Sequence, residues 1–250
     1  MEVNQNQIIG DLVAQDYRIA GVFKNHNIDF CCNGHRTLNE VCEEEQMEGS
    51  DLINEIEAIF NERKDTSTDY NTWPIDLLAD YIEKKHHRYV EGAIAEINPY
   101  LDKITEVHGA NHPELFEIKK HFKAASGELA AHMKKEEFIL FPYVRKMVKM
   151  QQGHSLVDRP HFGTVQNPIE VMMHEHETEG GRFSQIAKLS NNYTPPKDAC
   201  NSYVATFALL KEFEEDLHLH IHLENNMLFP KAVVLEKELK SWDSKNIMTQ

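Results

Sequence analysis

The sequence predicts an all-α protein: a small helical domain over residues 1–62, then an up-down-up-down four-helix bundle over residues 73–240. Three observations predict it. From Trp73 onward, apolar residues recur three and four apart through four long segments, the spacing of one helix face. Proline, asparagine and glycine punctuate the joins between these segments. One string also occurs twice, His132-x-x-x-Glu136-x-x-x-Leu140-Phe141-Pro142 and His220-x-x-x-Glu224-x-x-x-Leu228-Phe229-Pro230. Each copy sets a histidine and a glutamate about 40° apart on one helix face.

In the N-terminal part, short apolar stretches (Ile8-Ile9, Leu12-Val13, Ile19-Ala20, Val22-Phe23) lead to Asp29-Phe30-Cys31-Cys32-Asn33-Gly34. Thr37 and Glu40 have the spacing of a capping box, and a further helix is expected over residues 51–62. Residues 63–72 are polar and almost free of aliphatics, as a linker is. The first bundle helix follows Pro74 and runs toward Thr105, with a kink expected at Asn98-Pro99. The second follows Asn111-His112-Pro113 and reaches about Met150. The third starts at Pro168 and ends near Asn191-Asn192, after a seventeen-residue loop over 151–167. A loop of that length is often functional. The fourth follows Pro195-Pro196 and passes Pro230. Pro142 and Pro230 lie inside helices and should bend them.

The 250 residues suffice for a sizeable core. A net charge of −15, with 27% charged residues, argues against a nucleic-acid groove or an anionic membrane surface. Residues 1–7 are polar without a basic start, so no signal peptide is expected. No apolar run approaches the roughly eighteen residues of a membrane helix. Four cysteines without paired spacing fit a reducing cytoplasm. Fifteen histidines are many for this length, and their positions carry the chemistry.

At about 100° per residue, His220 and Glu224 share an arc with Phe213, Leu217 and Leu228. His218, His222 and Asn225 fall on the opposite side. His132 and Glu136 share a stripe with Ile118, Ala125, Leu129, Ile139 and Tyr143, while Glu137 points away. On the first helix His86 joins Ile82, Val90, Ala93 and Ile97, with His87 rotated off that stripe. On the third, His176 joins Met172, Phe183 and Ala187, with His174 outward. A buried carboxylate is costly unless something pairs with it. One such His–Glu pair is an ordinary core contact; two at identical spacing, with an inward histidine on each remaining helix, are not.

The expected metal ligands are therefore His86, His132, Glu136, His176, His220 and Glu224. Two metals bridged by both glutamates would take two imidazoles each, and an oxide or hydroxide bridge would still leave an octahedral position open. Imidazole with carboxylate suits iron, manganese or zinc, and a single zinc has no use for six ligands. Two iron ions, oxo- or hydroxo-bridged, are the expected cofactor. His108 lies about 33 Å along the helix from His86, too far to be a direct ligand, and His121 is about 16 Å from His132. His154 and His161 belong to the long loop. Tyr89 and Tyr143 read as packing residues, Cys42 and Cys200 as core cysteines. Cys31 and Cys32 are either two small buried residues at a turn or a redox pair or transient metal relay.

Asp29-Phe30-Cys31-Cys32-x-Gly34, together with His132-Met133-x-Lys135-Glu136-Glu137-x-Ile139-Leu140-Phe141-Pro142 and His220-x-His222-Leu223-Glu224-Asn225-Asn226-x-Leu228-Phe229-Pro230, resembles the Repair of Iron Centers family (ScdA/YtfE-like) over nearly the whole chain. The resemblance implies an ScdA-type N-terminal domain and a hemerythrin-like di-iron domain. It also implies a cytoplasmic, homodimeric stress-response protein that repairs iron–sulfur clusters after oxidative or nitrosative damage, by donating iron. The family's ligands carry over onto the same six residues, and a further family histidine onto His108. Damaged iron–sulfur proteins would be the partners, with nitric oxide or oxygen as reactive small molecules, and Cys31 and Cys32 would assist transfer as catalytic residues. Two features depart from the pattern. Gly180 stands where hemerythrins proper have another histidine, which weighs against oxygen carriage, and the 151–167 loop is longer than in close relatives. Two alternatives remain open: a hemerythrin-like sensor or store for nitric oxide, oxygen or iron without repair activity, and a metal-free bundle whose His–Glu pairs satisfy each other.

Overall fold

The computed structural model describes residues 3–62, 68–153 and 160–247, with side chains to residue 241. Residues 63–67 of the expected linker and His154 lie outside the described residues. The chain is all-α and divides into two compact units, Met1–Leu78 with Ile221–Gln250, and Ala79–His220. No helix among the described residues is long and apolar enough to cross a membrane.

The first unit opens with four short helices, α1 (Ile9–Gln15), α2 (Ile19–Asn25), α3 (Leu38–Glu44) and α4 (Gly49–Asn61). Their apolar faces bury Ile9, Leu12, Ile19, Phe23, Val41, Leu52 and Ile56. Thr37 and Glu40 form the expected reciprocal capping box on α3. Buried Asp16 between α1 and α2 is held by the Arg18 guanidinium at 2.8 Å. Asn225, expected to face outward, instead turns into this unit, as does Asn226. Their side-chain amides donate to the carbonyls of Cys31 at 3.1 Å and Phe30 at 3.0 Å. Gly34 permits this approach, since a Cβ there would stand 2.4 Å from the Phe30 carbonyl and 2.7 Å from Asn226 Oδ1. His222, also expected outward, is buried against Tyr17 and Phe30, with Nδ1 2.9 Å from Asn226 Nδ2. Burial pushes its pKa down to about 3.

In the second unit, α6 (Arg88–His108) continues from α5 (Ile75–Tyr81) through a π-helical segment, Ile82–His87. Next, α7 (Glu114–Lys135) reaches α8 (Phe141–Gln151) through a second π segment, Glu136–Leu140. After these come α9 (Gln166–Leu189) and α10 (Asn201–Leu223), the latter extended by a third π segment, Glu224–Leu228, and α11 (Phe229–Ile247). The unit boundaries fall within α5 and α10. The α7 helix packs on both α6 and α9. Pro99 lies inside α6, where the Asn98 side chain donates to the Ile94 carbonyl at 3.0 Å.

Pro142 and Pro230 each stand two residues past the end of a π segment. Neither can donate a backbone hydrogen bond, and each ring crowds the carbonyl four residues back, that of Phe138 or Asn226. Both carbonyls lie in a π segment, so the wider turn makes room for the ring.

Phe122, Phe183 and Phe213 form the aromatic centre of the second unit. Phe213 lies parallel to Phe183 (5.3 Å, 11°) and edge-on to Phe122 (5.3 Å, 74°). Phe213→Ala should lower the stability of this unit by about 3–5 kcal/mol, measured by denaturant unfolding.

Candidate metal centre

Two trios of buried side chains converge in the second unit: His87, Glu136 and His220, and His132, Glu136 and His176. In each trio the ligand atoms lie within 4.8 Å of one another. Glu136 belongs to both and is fully buried. One of its oxygens lies 3.3 Å from His87 Nε2 and 3.4 Å from His132 Nε2. His176 Nε2 stands 3.0 Å from His132 Nε2.

Each π segment begins or ends at a residue of interest: His87, Glu136 and Glu224. A π turn takes in more residues than an α turn, so the segment Ile82–His87 rotates His87 back toward the stripe that holds Ile82. This explains how His87, off the stripe on a regular wheel, reaches the cluster. His86 is buried beside it, its ring parallel to that of His220 (5.6 Å, 20°). Its Nδ1 meets Asp216 at 2.9 Å, and its Nε2 is buried with no hydrogen-bond partner among the described residues. His132, Glu136, His176 and His220 gather as expected. Glu224 is buried in the first unit, four residues after His220.

A carboxylate stands behind three of the imidazoles: Asp216 at His86 Nδ1, Glu137 at His87 Nδ1 (3.0 Å) and Glu175 at His132 Nδ1 (2.8 Å). Glu137, expected to point away, and Glu175 were missed. Their signal was a carboxylate directly following or preceding an inward ligand. An ionised carboxylate only accepts, so each Nδ1 carries the proton and a neutral ring turns its Nε2 lone pair inward. For His87 and His132 that lone pair faces the acceptor-only Glu136. Lone pair against lone pair is repulsive unless a cation or extra protons intervene. Protons would require imidazolium ions in a nearly dry interior, a costly state; a metal cation takes the neutral rings as they stand. The donor set therefore fits a metal, and imidazole with carboxylate suits iron.

Glu175 is held down to about 2 by its hydrogen bond to His132, against the cost of burial, with Lys135 also lowering it. Burial pushes Glu137 up, but Lys134 and His87 outweigh it and leave the pKa lowered. Glu179, one helical turn beyond Glu175, behaves oppositely: burial drives it up to about 7 despite Arg182 at 3.1 Å.

The remaining candidates lie elsewhere. Cys31 and Cys32 have their thiols 3.8 Å apart in the first unit, and no disulfide joins them. Asp29 Oδ1 accepts from the amides of Cys31 (3.1 Å) and Cys32 (2.9 Å) and tightens the turn. The hydrogen bond to Cys32 and burial push the Cys31 thiol well above its usual range. Cys42 is buried, but Cys200 is exposed, not a core cysteine, and faces His108. His161 is exposed, and its neighbour Phe162 packs edge-on against Tyr143 at 5.2 Å.

The model of the hemerythrin HHE cation binding domain matches residues 78–232. A domain of unknown function, ScdA_N (DUF542), matches residues 5–59. The iron–sulfur cluster repair proteins YtfE of Yersinia pestis (strain Pestoides F) and of Yersinia pseudotuberculosis serotype O:1b (strain IP 31758) are each 31% identical over 229 residues. Each alignment spans 92% of this chain and 97% of the relative.

Two tests follow from this geometry. Glu175→Ala frees the His132 ring and should weaken metal binding about 10–100-fold, read by chelator competition. Glu179 ionises near pH 4.5 when unfolded and near 7 when folded. The folded state therefore binds the extra proton between these values, and raising the pH through 7 costs stability. Metal-free Glu179→Gln should match the parent near pH 4.5 and exceed it at pH 8 by on the order of 2 kcal/mol, seen as a higher Tm only at the higher pH.

Proposed function

The chain belongs to the family of iron–sulfur cluster repair proteins that joins an ScdA_N domain to a hemerythrin HHE cation binding domain, and we propose that it restores damaged iron–sulfur clusters with two iron ions held in its bundle. The observation that supports the pair is Glu136. It is a carboxylate shared by two separate groups of imidazoles, the position of a ligand bridging two ions. His87 and His220 would hold one ion, His132 and His176 the other. Glu224, which repeats the spacing of Glu136 from His132, would be the second bridge. The place first expected for His86 goes to His87, with His86 packed alongside.

Bound iron supplies the exchangeable metal that a damaged cluster lacks and an open position for a small diatomic molecule. The protein's own groups prepare the site. Glu137 and Glu175 fix the imidazole protons on the outer nitrogens. Phe141 covers the His87 ring (5.6 Å, 22°) and keeps water from it. Glu175 keeps its charge well below neutral pH, so the outer shell does not loosen under mild acid. Damaged iron–sulfur proteins would be the partners, met in the cytoplasm by a homodimer, with Cys31 and Cys32 assisting transfer.

The test is reactivation of a nitric-oxide-damaged iron–sulfur dehydratase by full-length protein, alongside metal analysis. The parent should carry about two irons per chain and restore activity. Glu136→Ala should lose both, and His87→Ala should lose more iron than His86→Ala. Full iron without reactivation would instead favour a sensor or store; zinc alone, or no metal, would overturn the di-iron site.

A further inference from the structure

The far end of the second unit carries a thiol–imidazole pair that the metal chemistry does not use. His108 ends α6, and Cys200 immediately precedes α10. Ninety-two residues apart in sequence, they meet with His108 Nε2 3.2 Å from Cys200 Sγ. His108 is about 32 Å along the helix from His87, so this pair is remote from the metal ligands.

The setting is elaborate. His112 holds both oxygens of Asp198 at 3.1 Å and meets Glu114 at 3.1 Å. Its ring stands edge-on to His108 (6.4 Å) and to Tyr203 (5.7 Å), and Tyr203 also meets His108 edge-on at 5.4 Å. Lys103 reaches Ser202 in the first turn of α10 at 3.0 Å. The groups around the thiol are thus His112, whose pKa the hydrogen bond to Asp198 raises, and Lys103, together with Asp198 and Glu114, with Tyr203 kept protonated by burial. His108 lowers the Cys200 pKa to about 7, helped by the amides of Tyr203 and Ser202 at the helix start. The thiol is exposed. The other three cysteines, Cys31, Cys32 and Cys42, all belong to the first unit, so no second thiol of its own unit can resolve it.

We propose that Cys200 and His108 form a thiol-modification site that takes up small disulfides, the oxidised forms of low-molecular-weight thiols, as a mixed disulfide. The Cys200 thiol passes its proton to His108, and the thiolate attacks one sulfur of the disulfide. The reagent's S–S bond breaks as the new Sγ–S bond forms, and the departing thiolate recovers the proton from His108. Cys200 is oxidised and the released half of the reagent is reduced, with no further oxidant. This site stands apart from the repair function and does not depend on it.

Glutathione disulfide is the probe. Full-length protein is incubated with it across a pH series, and the Cys200 peptide is followed by mass spectrometry. Half-maximal rate is expected near pH 7, moving up toward the ordinary thiol range of about 8.5 in His108→Gln. At pH 7 the variant should react about threefold more slowly, its lost thiolate fraction partly offset by stronger intrinsic nucleophilicity. Iron content should not change. A parent midpoint already near 8.5 overturns the proposal without any variant, and so does a shared midpoint in both proteins or a Cys200 peptide that never gains the adduct.

Discussion

The second unit is organised around a carboxylate shut off from the protein surface. Glu136 is fully buried, within 3.4 Å of two imidazole nitrogens that are themselves turned inward by carboxylates behind them. A buried ion of this kind destabilises a fold unless opposite charge reaches it. Everything near it is arranged so that protons stay on the outside of the rings and a cation is accepted inside. The rings come from three separate helical stretches, ending at His87, ending just past His132 and centred on His176, with His220 from a fourth. The bundle must therefore be complete before the site exists, and a metal bound there stabilises the whole unit.

The π segments are the mechanical counterpart of that arrangement. An α-helix presents side chains three and four apart, which suffices for a core stripe but not for a ligand, an aromatic cover and a proline all within ten residues. Widening one turn rotates Phe141 back toward the face of Glu136, as it rotates His87 back toward the face of Ile82. The repeated Leu-Phe-Pro then has a physical meaning. Proline removes the hydrogen bond that would close a regular turn, and the π segment before it takes up the slack. Both copies of the motif use the same solution.

How much of this was readable beforehand follows from what a 3.6-residue wheel measures. His132, His176 and His220 lie in regular α-helix and Glu136 directly follows one, so apolar neighbours locate all four, and Thr37–Glu40 is a local signal needing no tertiary knowledge. His87 was misplaced because the wheel assumes one pitch throughout, and the turn before it has another. Glu137, His222 and Asn225 were read as solvent-facing because a wheel knows one buried side only. Glu137 serves as the outer hydrogen-bond partner of a ring, and His222 and Asn225 are buried by the N-terminal helices. Cys200 was misread for a related reason: its contact with His108 joins two helix ends that no periodicity connects.

The N-terminal unit imposes a different condition on the thiols. Asn225 and Asn226, in the same π segment as Glu224, hold the Cys31 and Phe30 carbonyls, and Gly34 leaves no room for a side chain between them. Cys31 is buried and its thiol is pushed well above the usual range, first by its hydrogen bond with Cys32 and then by burial. A thiol so placed is protonated at neutral pH and a poor ligand or nucleophile. The transfer role proposed for the pair therefore requires the loop to open, separating the two sulfurs and admitting water.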